Sequence, residues 1–341
     1  MVLAWRTVLL ATLLSFLIST GPAWAGDSVV RRAAFDVGST SVKCTVADVD
    51  TLTGTLVKVV DTFTRKVDFA EDLARSYDGN LSREIMDQGQ TALEALRQKA
   101  LELQARQLSA VGGACFRTAR NGRAYFVTLQ EKLGFSCRII SEQQASLLNY
   151  HAVRLGTDVP ETALMVWDIG GDNQKMTARN RDGSMTFYVD DLASVSFKNA
   201  VIRLVQGKDI AAVASPNPMD EAQVADALRY AVSRAEADVP SGLADRLRNG
   251  LMTVIGIGGV HFHSIPETLG TEPGPFTRQQ VEEAMRKWTG KPDSAFASEY
   301  AATRLTNLIL VLGYMRALDI RTVTPVAVNE AYGLLVCPEY W

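Results

Sequence analysis

Residues 33–43 read A-A-F-D-V-G-S-T-S-V-K, and this stretch decides the fold. The apolar residues before Asp36 predict a β-strand, and Gly38 predicts a tight turn directly after it. Hydroxyl groups and then a positive charge follow at Ser39, Thr40, Ser41 and Lys43. Glycine lets a backbone approach an anion closely, and hydroxyl and amide groups can face phosphate oxygens. Taken alone, the stretch is also compatible with an ordinary hairpin.

The same arrangement returns in the second half of the chain. Residues 163–168 are apolar and end in Asp168, after which the sequence continues I-G-G-D-N. A third glycine turn, G-I-G-G, spans 256–259 behind another apolar run. Two Asp-led turns, one in each half, can grip a phosphate chain from opposite sides of a cleft. We predict that the turns bind phosphate through Gly38, Ser39, Thr40, Ser41 and Lys43 in the first turn, Gly170, Gly171 and Asn173 in the second, and Gly256, Gly258 and Gly259 in the third.

The segments around the turns predict two α/β halves. Three strand-like runs within residues 33–62 are joined by short turns, which favours a meander over a βαβ unit. Apolar residues at three- and four-residue spacing predict a helix over 82–106. Residues 156–161 combine Gly, Asp and Pro and are the best linker candidate. We therefore expect an N-terminal domain at 26–156 and a C-terminal domain at 157–341.

The first 25 residues predict a cleaved export signal. Arg6 supplies a positive charge, residues 8–18 are apolar, and Ala23-Trp24-Ala25 gives a cleavage site. The apolar run is too short to favour a membrane anchor. We therefore expect a periplasmic or secreted protein that has no membrane association after cleavage.

Composition limits the partners and the metals that the protein can bind. A formal net charge of −3 argues against a general nucleic-acid binder. Only three histidines and no CxxC spacing argue against a zinc site. An oxidising compartment would allow disulfides, and Cys115 and Cys137, both expected on strands, are one candidate pair. Two buried thiols are the alternative, and the sequence does not decide between them.

Residues 34–43 resemble the opening pattern of the exopolyphosphatase and guanosine-pentaphosphate phosphatase (Ppx/GppA) family of the actin-like ATPase superfamily. Residues 110–122 resemble a second family segment and keep its arginine, at Arg117, which the resemblance implies is a phosphate ligand. The similarity spans nearly the whole chain after the export signal. It implies an α/β, two-lobed actin-like (ribonuclease H-like) fold in which each half is a mixed sheet with flanking helices.

Two departures from the family pattern affect hydrolysis. Residues 140–145 read I-S-E-Q-Q-A, and Gln144 takes the place of the family glutamate that acts as a general base. An amide cannot accept the proton of the attacking water, and general-base catalysis contributes typically ~10²–10⁴-fold. Lys175 stands where the second turn of the family ends in a glutamate. Glu142 is the nearest carboxylate that could serve as a substitute base.

The resemblance implies catalytic positions at Asp36, Gln144 and Asp168, with Asp168 as the ligand of Mg²⁺ if the protein is active. It implies that polyphosphate or a related phosphoanhydride binds in the interdomain cleft and loses its terminal phosphate. The alternative is a non-catalytic phosphate-binding or sensor protein. An ATPase or sugar kinase is disfavoured, because export separates the protein from the ATP pool. The oligomeric state stays open, with a homodimer as one option.

Overall fold

The structure, a computed structural model, describes residues 28–341. The predicted export signal lies outside the described residues. Within them, the strands form two mixed sheets, one of five and one of six strands. None of the helices in this part of the chain is long and apolar enough to cross a membrane.

The first sheet belongs to the N-terminal lobe. Its strands are β1 (Val29–Val37), β2 (Ser41–Asp50), β3 (Thr55–Lys66), β4 (Gln107–Gly112) and β5 (Ser136–Ile139). Its helices are α1 (Phe69–Ala74), α2 (Arg83–Glu102), α3 (Ala114–Thr118), α4 (Gly122–Leu133) and α5 (Glu142–Arg154). The predicted meander is confirmed, since β1, β2 and β3 pair antiparallel. Strands β4 and β5 then extend the sheet in parallel beside β1.

The second sheet builds the C-terminal lobe. Its strands are β6 (Leu164–Ile169), β7 (Gln174–Arg179), β8 (Met185–Asp190), β9 (Thr253–Ile257), β10 (Phe276–Thr277) and β11 (Thr322–Pro325). The helices of this half are α6 (Ser194–Ala200), α7 (Glu221–Asp238), α8 (Ser241–Arg248), α9 (Ile265–Leu269), α10 (Arg278–Trp288), α11 (Ala301–Ala317) and α12 (Glu330–Val336). Strands β6, β7 and β8 repeat the antiparallel meander, and β9 and β11 repeat the parallel extension. The two halves therefore share one plan, as the repeated turn predicts.

The last helix does not stay with the second sheet. Apolar residues of α12, among them Ala331, Leu334 and Leu335, pack with Ala34 of β1 and Leu148 of α5. This packing carries Glu330, at the start of α12, to the edge where the two lobes meet. The domain boundary at 156/157 stays a prediction, but the C-terminal helix crosses back over it.

One local assignment from the sequence was wrong. Cys115 was expected on a strand, whereas β4 ends at Gly112 and Cys115 lies in α3. The chain turns into a helix there because Gly113 and Ala114 interrupt the β-rich run. All four cysteines are free thiols, and burial raises the pKa of Cys137 to about 12.

Candidate functional site

A cleft of about 960 Å³ lies between the two lobes, where all three predicted glycine turns meet. The structure brings twelve of the fifteen predicted site residues to its wall. From the first turn these are Asp36, Gly38, Ser39, Thr40, Ser41 and Lys43, from the second Asp168, Gly170, Gly171 and Asn173, and from the third Gly258 and Gly259. The cleft is therefore where the sequence places phosphate binding.

The first two turns are built alike. In the first, the Gly38 amide donates to the Ser41 carbonyl at 2.9 Å, and in the second the Gly170 amide donates to the Asn173 carbonyl at 3.0 Å. Asp36 lies directly across the hairpin from Lys43, and Asp168 lies across from Lys175. Each turn therefore presents an aspartate and a lysine from neighbouring strands to the same space.

The two turns also contact each other. The Ser39 hydroxyl donates a hydrogen bond to the carboxylate of Asp172. A Cβ atom on Gly171 would lie 2.6 Å from the Thr40 methyl carbon, closer than real contacts allow. Glycine at 171 is thus required by the close approach of the opposite lobe. The lobes are in contact at the level of the turns, and the open part of the cleft lies beside them.

Lys175 lies at the centre of a buried charge cluster. Its ammonium group is 2.8 Å from Glu330 and 3.4 Å from Asp168. Asn149, from α5, donates to the Asp168 carboxylate at 2.8 Å. The Lys175 side chain is only 6% exposed, so water cannot replace these partners. Burial alone lowers the pKa of Lys175, but the two carboxylates outweigh it and hold that pKa above its ordinary value.

The aspartates of the two turns respond to the same environment. Burial raises the pKa of Asp36 to about 6, against the opposing effect of Lys43 at 3.5 Å. Burial also raises the pKa of Asp168, and Lys175 opposes that shift. A carboxylate with a pKa near 6 can accept a proton at neutral pH. The raised pKa of Asp36 is therefore in a range suited to general-base chemistry.

The remaining charges of the cleft are largely balanced within the protein. Seven carboxylates and six lysine or arginine side chains line it. Each of these six cations pairs with a carboxylate of the same wall; outside the turns the pairs include Lys198–Glu71 at 2.9 Å and Lys66–Glu299 at 3.6 Å. Both of these pairs join the two lobes. The cleft consequently offers a ligand little uncompensated positive charge.

Three predicted site residues lie elsewhere. Gln144 is exposed and forms a capping box with Ser141, whose amide donates to the Gln144 side chain at 2.9 Å. Arg117 pairs with Glu142, and neither of these two side chains lines the cleft. Glu142 also accepts from Asn173 at 2.9 Å, so the substitute base is engaged as well. Gly256 lies inside strand β9 against His261 and Val323, because the turn itself begins only at Gly258.

Sequence reasoning missed the partners that surround Lys175. Glu330 and Asn149 are far from the turns in sequence, and packing of α12 and α5 brings them there. A weak signal was present: Asn329-Glu330 lies a few residues after strand β11 and opens a helix. The spacing of Lys43 from Asp36, repeated by Lys175 from Asp168, was a second signal.

The residues present do not fit a Mg²⁺ ion at Asp168. Mg²⁺ requires oxygen ligands in an octahedral arrangement, and the Asp168 carboxylate already faces the Lys175 ammonium and the Asn149 amide. No group of three or more histidine, cysteine or acidic side chains in residues 28–341 is arranged to hold a metal ion. A lysine and a divalent cation cannot share this space.

The comparisons with known proteins agree with this fold. Residues 45–182 match the model of the Ppx/GppA phosphatase family. Over these residues the chain is similar to the Ppx/GppA phosphatase family. A Ppx/GppA enzyme of Aquifex aeolicus superposes with a TM-score of 0.68 at 17% identity, covering 90% of this chain and 99% of that one.

Two further solved structures share this fold. An exopolyphosphatase of Cytophaga hutchinsonii gives a TM-score of 0.70 at 14% identity, covering 89% of this chain and 96% of that chain. An exopolyphosphatase-like protein gives 0.73 at 13% identity, covering 91% and 97%. The predicted α/β, two-lobed actin-like fold class is confirmed. At these identities the superpositions establish the fold alone. The roles of individual residues are argued from the local geometry.

Proposed function

We propose that this Ppx/GppA-like protein binds a short phosphate-bearing ligand in its cleft without hydrolysing it, as an exported binding or sensor protein. The observation that carries the proposal is the internal pairing of the second turn, where Lys175 holds Asp168 and Glu330. An aspartate engaged in this way is not available to position a metal or a water. The position implied for the general base, Gln144, serves a helix cap outside the cleft.

Of the two Asp-led turns, the first is the one that remains available to bind the ligand. Lys43 is 28% exposed and lies 3.5 Å from Asp36, farther than Lys175 lies from Glu330. The third turn supports it from the opposite side, since Gly258 and Gly259 lead into the helical segment that begins at Val260. Backbone amides at such a position favour anions. The phosphate therefore belongs beside Lys43, Gly258 and Gly259.

Charge balance in the cleft favours a short ligand. Seven carboxylates against six cations give a long polyphosphate no net attraction along its length. A ligand with one to three phosphate groups can use Lys43 and the turn amides alone. Tripolyphosphate and pyrophosphate are accordingly the phosphoanhydrides to test before long-chain polyphosphate.

Slow hydrolysis is the second candidate, favoured by the raised pKa of Asp36. If Asp36 took the proton of an attacking water, the protein would release terminal phosphate by a base other than the one that the family pattern implies. This candidate requires the ligand to reach Asp36 past its pairing with Lys43.

One pair of measurements separates the two candidates. Calorimetric titration of tripolyphosphate into the wild type should give binding that Lys43→Met weakens by about 10- to 100-fold, the value of one charge-assisted hydrogen bond. Lys58→Met removes the same charge from an exposed site outside the cleft and should leave affinity unchanged. Phosphate release measured with Mg²⁺ should not exceed the buffer rate. Release that disappears in Asp36→Asn would establish hydrolysis and overturn the binding-only proposal.

A further inference from the structure

The pocket that holds Lys175 is built from oxygen atoms. The Glu330 and Asp168 carboxylates approach the ammonium group at 2.8 and 3.4 Å. The Asn149 side-chain nitrogen lies beside them and donates to the Asp168 carboxylate at 2.8 Å. Asn149 itself is 3% exposed. Two carboxylates therefore converge on a single buried ammonium group, and the Asn149 nitrogen donates a hydrogen bond to one of them.

This set of ligands is the one that hard divalent cations use. Mg²⁺ and Ca²⁺ are bound through carboxylate and carbonyl oxygens, and carboxylate and carbonyl ligands also suit Mn²⁺. A lysine ammonium has one charge and donates three hydrogen bonds in a compact head group. Placed between two carboxylates, it supplies the positive charge that a metal ion would supply, but it is tethered to the chain.

Lys175 and its partners also connect three parts of the molecule. Lys175 comes from β7 of the second sheet, Glu330 from α12, and Asn149 from α5. Helix α12 packs on the first sheet, so the ammonium group joins the two lobes at the base of the cleft. No bound ion is required for this contact.

We propose that Lys175 is a built-in cation that takes the place of a divalent metal ion between Asp168 and Glu330. The wild-type cleft is assembled without a metal, and a neutral residue at 175 converts the same pocket into a divalent-cation site. This inference does not depend on which ligand the cleft binds or on whether hydrolysis occurs.

The test is a Mn²⁺ titration of the full chain, followed by electron paramagnetic resonance of free Mn²⁺ and by thermal unfolding. The wild-type protein should show no Mn²⁺ uptake that depends on Asp168. Its titration should therefore match that of Asp168→Asn, and its Tm should not change when Mn²⁺ is added. Lys175→Met should bind one Mn²⁺, with a Tm increase of about 5 °C at roughly 100-fold excess over Kd. The double variant Lys175→Met/Asp168→Asn is the control and should lose this uptake.

Two results would overturn the proposal. One is stoichiometric Mn²⁺ uptake by the wild type that Asp168→Asn removes, because the pocket would then hold a metal beside the lysine. The other is a folded Lys175→Met protein that takes up no Mn²⁺. Should Lys175→Met not fold, the wild-type titration decides alone, since uptake lost in Asp168→Asn contradicts the proposal and its absence supports it.

Discussion

The two Asp-led turns have the same backbone arrangement but differ in the burial and pairing of their lysines. Both place an aspartate across a hairpin from a lysine, and both close with a glycine amide on a carbonyl. In the first turn the lysine is 28% exposed and has one carboxylate at 3.5 Å; in the second it is 6% exposed and has two. The difference comes from Glu330, a residue outside both turns. The same turn backbone can therefore present its lysine to the cleft or hold it in a buried cluster, depending on a carboxylate that packing brings to it.

The largest expected effect is a difference in unfolding free energy between variants of the two lysines, Lys175 and Lys43. Lys175→Met leaves Asp168 and Glu330 buried without a cation, and breaking a buried pair in this way costs about 3–5 kcal/mol of unfolding free energy. Lys43→Met should cost about 1 kcal/mol, because its pair is partly exposed and Asp36 can take up a proton instead. Urea denaturation of both variants at pH 7 measures the difference. Equal losses would show that the turns do not differ in the way described.

The next effect belongs to Asp36 and depends on pH. Its pKa is about 6 in the folded protein and about 3.9 when unfolded, so the folded state holds the proton more tightly. Stability from this group is therefore lost as pH rises from about 4 to about 6. Asp36→Asn has no carboxyl group to titrate and should not lose this stability. The difference in unfolding free energy between Asp36→Asn and wild type should therefore shift by about 2–3 kcal/mol in favour of the variant as pH rises across that window.

Denaturation at pH 4, 5, 6 and 7 checks the Asp36 prediction. Asp61→Asn, an exposed position on β3, is the control for the change in charge. A constant difference between Asp36→Asn and wild type at all four values would contradict a raised pKa for Asp36.

A smaller effect tests the contact between the turns. Gly171→Ala places a methyl group 2.6 Å from the Thr40 methyl carbon and 3.0 Å from the Ser39 Cβ, which should cost about 1–3 kcal/mol through overpacking. Gly156→Ala is the matched control, because a Cβ there meets no atom within 4 Å. If both variants unfold at the same urea concentration, the turns are not in contact in solution.

The smallest effect concerns the residue that the family pattern singles out. Glutamate serves a capping box as well as glutamine does, so Gln144→Glu should change the unfolding free energy by less than about 0.5 kcal/mol. It should also add no phosphate release, because position 144 lies outside the cleft. Ser141→Ala, which removes the cap, should cost about 1 kcal/mol. Phosphate release gained by Gln144→Glu would place this residue in the site after all.

The turns could be predicted from the sequence because their signals are local. A strand, an aspartate and a glycine lie within a few residues of one another, and the pattern recurs in both halves. The capping box at Ser141 and Gln144 was also readable, since Ser-x-x-Gln before an apolar run is typical of a helix start. Weighing that signal would have placed Gln144 on the outside of the helix.

The state of the second turn could not be predicted in the same way. It depends on Glu330, which arrives only because α12 packs back on the first sheet. The sequence indicates that Lys175 replaces an expected glutamate but not that a second carboxylate meets it. The same limit applies to Arg117, whose pairing with Glu142 depends on how α3 and α5 pack.

The most direct test of the central claim is a crystal structure of the protein grown with Mn²⁺ and tripolyphosphate, with anomalous data to locate the metal. We predict that Lys175 contacts Glu330 and Asp168, that no anomalous peak lies between them, and that a phosphate group lies beside Lys43. An anomalous peak at Asp168 with the Lys175 side chain turned away would contradict it.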